Sequence, residues 1–116
     1  MASYSVFAGD TLIGHSDLEL GDPPMGVALG KFRPTPAYSM IRSACIAALA
    51  TGSWEKLNLA IRTADGLRIP AQGGVMILDG EAVNSSEIEV QAAGIPHPLY
   101  AQLFPAHVLA YESRHE

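Results

Sequence analysis

Residues able to do chemistry are few in this chain and widely spaced. Its histidines are His15, His97, His107 and His115, and its one thiol is Cys45. Zinc sites gather three or four such ligands at short loop or helical spacings, with thiolates prominent in structural sites. No two of these histidines stand that close, so neither a metal nor a cofactor is expected. Cys45 lies among Ala44, Ile46 and Ala47, where a thiol acts as a small apolar filler rather than a nucleophile. The nucleophile elbow Gly-x-Ser-x-Gly is absent, and Gly66 and Gly73-Gly74 fit neither phosphate-cradling fingerprint. Asn84-Ser85-Ser86 has the form of a glycosylation sequon, an accidental match in a chain expected to stay inside the cell.

Two groupings carry more. Asp17 to Tyr38, DLELGDPPMGVALGKFRPTPAY, alternates prolines and glycines with Asp22, Met25, Lys31, Arg33 and Tyr38. Consecutive prolines fix φ and remove donors, which makes a stiff connection between elements. The same stiffness could preorganise a binding surface, with Met25 and Tyr38 giving apolar contact and Asp22, Lys31 and Arg33 giving polar specificity. The second grouping is a cleft of His15, Asp17, Glu19 and Arg33. On a continuing strand, Asp17 and Glu19 would project from one face roughly 7 Å apart, a spacing suited to acid/base work but commoner on a solvated face.

Composition narrows the classes. Of 116 residues, 48% are apolar and only 16% charged, with a net charge of −5. Such a chain folds rather than staying disordered, and it has few charges with which to cover its surface. The seven Lys and Arg residues are scattered along the sequence, which argues against nucleic acid and anionic membrane as partners. The start, Met1 to Phe7, lacks a basic region followed by an apolar stretch, and no window approaches ~20 apolar residues. The expected location is cytoplasmic.

The elements that must position these residues follow from periodicity and turn chemistry. Tyr4–Ala8 and Thr11–Ser16 read as strands joined at Gly9-Asp10, a two-residue hairpin turn, with Asp17 to Leu20 extending the second strand. After the Pro-Pro loop, residues 27–32 form a strand with Gly30 as a bulge site. Thr35-Pro36 starts a helix over 36–50 that stops at Gly52, with Tyr38, Ile41, Cys45, Ala48 and Leu49 on one face. So little polar surface implies that this helix is covered on more than one side. Residues 56–63 alternate as a half-buried strand, Asp65-Gly66 turns the chain into a return strand over 67–69, and short strands follow at 75–78 and 87–91. Leu99, Tyr100, Leu103 and Phe104 suggest a short C-terminal helix broken by Pro105, and 106–111 is open between strand and helix.

The expectation is one α+β domain over 1–116: a mainly antiparallel sheet of about six short strands, an N-terminal hairpin and later meander, with one main helix packed on it. No motif assigns a reaction. The leading expectation is a non-catalytic binding or interaction protein of the bacterial cytoplasm, a homodimer, with a basic protein as a possible partner. The alternative is a small-molecule hydrolase or isomerase at His15, Asp17, Glu19 and Arg33.

Overall fold

A computed structural model describes residues 3–80 and 87–114; the sequon at Asn84 lies outside them. The first hairpin forms as expected. β1 (Tyr4–Ala8) and β2 (Thr11–Ser16) pair antiparallel with Ala8 opposite Thr11 across Gly9, whose φ is +59°. The pairing then slips by one residue, Phe7 opposite Leu12 but Val6 opposite Gly14, so Ile13 is the extra residue of a β-bulge. Both Ile13 and Gly14 are buried as a result.

The second strand does not run on through Asp17. Leu18 adopts a left-handed φ of +45°, and the chain turns into β3 (Leu20–Asp22), a tight Pro23–Met25 turn, and β4 (Val27–Lys31). The Pro-Pro stretch is therefore the hinge of a second hairpin. Gly30 is no bulge: it pairs in register with Val90. A Cβ there would lie 2.9 Å from Ser16 Oγ and would displace the Glu19 carboxylate that packs over this position.

At Phe32 the chain crosses from one sheet to the other and enters β5 (Arg33–Pro34). Thr35 is extended with Pro36 after it, as a helix start demands, but its hydroxyl donates to the Leu12 carbonyl at 2.8 Å instead of capping. The turn that follows, Pro36–Met40, is 3-10, and α1 (Arg42–Thr51) begins only after Ile41. Tyr38, Cys45 and Ala48 are buried as expected. Ser43, Ala44, Ala47 and Ala50 are exposed, so α1 is covered on one side, not several. Gly52 ends it at φ +75°, its N–H bonded to the Ala48 carbonyl.

The strand expected at 56–63 is shorter. Lys56 belongs to a tight turn, Asn58 is left-handed, and β6 spans Leu59–Arg62 with Leu59 and Ile61 inward. The return strand over 67–69 contracts to one bridge, Arg62 opposite Arg68. β7 (Gly74–Asp79) and β8 (Ile88–Ala93) follow, then α2 (Leu99–Leu103) and α3 (Pro105–Arg114), with Pro105 separating the helices.

The architecture is α+β with sheet predominant, as expected, but its strands divide into two antiparallel sheets of four, ordered β5-β2-β1-β6 and β3-β4-β8-β7. Their inner faces share one core, in which Val6, Ile13 and Ile61 of the first sheet join Ala28, Ile77 and Val90 of the second. Each buried Val or Ile side chain here contributes about 1.5–3 kcal/mol. α1 lies against β7, and α2 and α3 close the other side, where Tyr100 is fully buried and Tyr4 meets Phe104 with ring centroids 5.6 Å apart. Among the described residues no helix is long and apolar enough to cross a membrane.

Candidate functional site

The residues expected to form a binding surface do not converge. Asp22 is exposed at the end of β3 and Met25 is 67% exposed just beyond it. Lys31 ends β4 opposite Glu89, while Arg33 belongs to the other sheet and pairs with Asp17 at 3.1 Å. Tyr38 is a core residue: its ring meets Phe32 edge-on, and its hydroxyl donates to Asp79 Oδ2 at 2.8 Å. The tight turn ahead of α1 points it inward, and it offers no surface contact.

The acid/base set separates as well. His15 sits opposite Arg33, and Asp17 is committed to the Arg33 guanidinium. Leu18 turns the chain so that Glu19 reaches the other sheet, where it accepts the Lys31 N–H at 3.4 Å. Asp17 and Glu19 do border a shallow depression of about 260 Å3 beside His107. Burial holds the His107 imidazole below its ordinary pKa, and the Leu18 and Glu19 backbone partly offsets this. That ring already has partners, however. It stacks on Phe104 at 4.8 Å, and its Nδ1 lies 3.1 Å from the Tyr100 hydroxyl, which donates to the Val27 carbonyl at 2.6 Å. Asp17, Glu19 and His107 are each bound to a neighbour rather than aimed at a common point.

Inside, Arg42 and Tyr38 converge on Asp79, whose side chain is fully buried. Cys45 adjoins this cluster, and burial pushes its thiol up to about 11. Reactive thiols need the opposite shift, so Cys45 is packing, as its apolar neighbours imply.

A groove no motif announced lies where the two sheets part, between β6 and β7. Its volume is about 440 Å3, within the ~300–1,000 Å3 range of small-ligand sites. Trp54 forms part of its wall, held there because α1 ends at Gly52 and the tight turn before Asn58 redirects the chain. Arg68, Asn58 and Gln72 offer donors, Glu55 a carboxylate, and Leu59, Ile69 and Met76 apolar surface. No Ser, Thr, Cys, His or Lys lines it among the described residues. The groove is large enough to hold a small ligand.

A second arrangement emerges from strand register. Arg33 faces His15, His15 faces Ser5, Ser5 faces Arg62, and Arg62 faces Arg68. Directly opposed residues project from the same face, so these five form one row across the outer face of the first sheet. Three of the seven Lys and Arg residues, scattered in sequence, are therefore aligned in space. No group of three or more potential metal ligands occurs among the described residues. Compared with protein-family models, curated proteins and solved structures, the chain finds no match.

Proposed function

We propose that this chain is a small cytoplasmic binding protein without catalytic activity, and that its ligand occupies the groove between β6 and β7. The observation that carries this reading is the groove itself, about 440 Å3 with an indole in its wall and a guanidinium and two side-chain amides in its lining. Small-ligand sites are generally concavities in which apolar walls carry a few placed polar groups. A ligand with a planar ring against Trp54 and a carboxylate or phosphate toward Arg68 suits this lining. The hydrolase alternative loses ground because its carboxylates diverge, one to Arg33 and one to the Lys31 backbone.

Trp54 is the chain's one tryptophan, so its fluorescence reads the groove directly. Titration with anilinonaphthalene sulfonate, a planar anionic dye, should quench it saturably at one site per chain. Ala71→Leu, which adds bulk to the groove wall, should abolish the quenching while leaving the unfolding midpoint within a few degrees. Quenching that never saturates, or that survives this substitution, would reject the groove as the site.

Self-association is a second part of the reading, favoured by one specific grouping. Leu20 and Met25 are 58% and 67% exposed, on β3 and the turn that follows it. Clustered apolar exposure of this kind marks association surfaces, and a two-fold dimer is the commonest outcome. Sedimentation at micromolar concentration should give twice the 12.3 kDa chain mass, reverting to one chain in Leu20→Lys. A wild-type monomer would remove this part.

A further inference from the structure

We propose that the outer face of the β5-β2-β1-β6 sheet carries an oxyanion site, centred on Ser5 between His15 and Arg62, for a phosphate monoester or similar small dianion. The register places the donors. Ser5 is directly opposite both His15 and Arg62, with Arg68 one position further out. Opposed residues have Cβ atoms about 4.5–5.5 Å apart, so a hydroxyl, an imidazole and a guanidinium fork lie within reach of one phosphoryl group. These are the side chains that recognise such groups, the guanidinium doing so by paired parallel hydrogen bonds.

The state of the arginines argues that an anion belongs there. Arg62 and Arg68 are directly opposed, an arrangement that is destabilising for like charges. Among the described residues neither has a carboxylate partner. Arg62 is held in place with its guanidinium 4.8 Å from the Phe7 ring centroid, and its Nε is buried without a hydrogen-bond partner. One cation is thus fixed over an aromatic face and another, exposed, stands beside it. Arg33, at the far end of the row, differs, because Asp17 already neutralises it. The site is therefore the His15–Ser5–Arg62–Arg68 part of the row. A net charge of −5 opposes a long polyanion, so a compact dianion is the occupant that fits.

The site shares only Arg68 with the groove, and its failure would leave the groove reading standing. The test is titration of the full chain with inorganic phosphate at constant ionic strength, followed by amide chemical shifts. Saturable shifts at Ser5, His15 and Arg62 are expected. Ser5→Ala and Arg68→Gln, both open to folding checks by the unperturbed remainder of the spectrum, should each weaken binding about tenfold, roughly one charge-assisted contact. Arg33→Gln should change it less than twofold. Shifts that grow linearly with phosphate, or equal weakening by Arg33→Gln and Arg68→Gln, would overturn the site. So would a single-stranded oligonucleotide that binds a hundredfold tighter than phosphate with a steep salt dependence, because the occupant would then be a nucleic acid backbone.

Discussion

Arg42 and Asp79 form a two-point ion pair, Nε to Oδ2 at 2.8 Å and Nη2 to Oδ1 at 3.2 Å, that ties the first turn of α1 to the last residue of β7. The pair is asymmetric. The Asp79 side chain is fully buried, while that of Arg42 is 41% exposed. A buried carboxylate is tolerated only where its oxygens are bonded, and here Tyr38 adds a hydroxyl donor to Oδ2. The 3-10 turn that begins at Pro36 matters because it carries Tyr38 to that carboxylate.

The asymmetry orders three substitutions. Arg42→Ala leaves the buried carboxylate without its cation and should destabilise by about 3 kcal/mol, as breaking buried pairs does. Asp79→Ala leaves Arg42 able to reach solvent but strands the buried Tyr38 hydroxyl, for about 2 kcal/mol. Tyr38→Phe removes one donor from a carboxylate that keeps its arginine, for about 1–2 kcal/mol. Urea unfolding measures all three. Tyr38→Phe proving the most damaging would mean that the ring packing with Phe32, not the polar cluster, fixes this corner.

His107 supplies a pH dependence whose sign is determined. Burial beneath Phe104 and beside Tyr100 lowers its pKa from 6.5, so as pH falls the unfolded chain takes up this proton before the folded one. The stabilisation from keeping the ring neutral is present in full above about pH 6.5 and is lost as pH drops through the lowered value. Imidazole NMR should place the folded midpoint of His107 below 6.5. His107→Gln should flatten the acid limb of stability below about pH 6.5. A midpoint above 6.5 would show that the Leu18 and Glu19 backbone outweighs burial.

What could be read in the sequence was local, and what could not was register. Gly9-Asp10 and Gly52 announced themselves because their backbone needs are met by few residue types, and Cys45 and Ala48 marked the buried face of α1 by spacing alone. The bulge at Ile13 left no such mark. Without it Ser5 would oppose Gly14 and His15 would face the core; the one-residue slip sends His15 outward, onto the face of Ser5 and Arg62. Nor was the Arg62–Arg68 pair legible, since a two-residue turn at Asp65-Gly66 would oppose Arg62 to Ile69, whereas the bridge that forms is centred on Asp65. Asp17 and Glu19 misled because the alternation of Asp17 to Leu20 mimics a strand, and only Leu18 entering the left-handed region, anchored by its N–H to Ser16 Oγ at 3.1 Å, breaks it. The groove at Trp54 depends on where two sheets part, which no single segment encodes.

Gly26 and Gly52 separate backbone strain from steric exclusion. Both have positive φ, +65° and +75°, so alanine at either must enter the left-handed region, for about 1–2 kcal/mol. Around Gly52 nothing lies within 4 Å of the position a Cβ would take, and Gly52→Ala should lose no more than that strain. At Gly26 the same atom would meet the Ile95 carbonyl oxygen at 2.6 Å, and the Gly26 carbonyl accepts the Ile95 N–H at 2.9 Å. Backbone cannot step aside as a side chain does. Gly26→Ala should therefore cost about 3 kcal/mol or more, in the range reserved for strain combined with lost bonding. Paired urea unfolding of the two variants measures the difference. Equal losses would mean that the turn after Pro23–Met25 yields freely, and that the contact between this turn and Ile95 does not hold the second hairpin against the C-terminal segment.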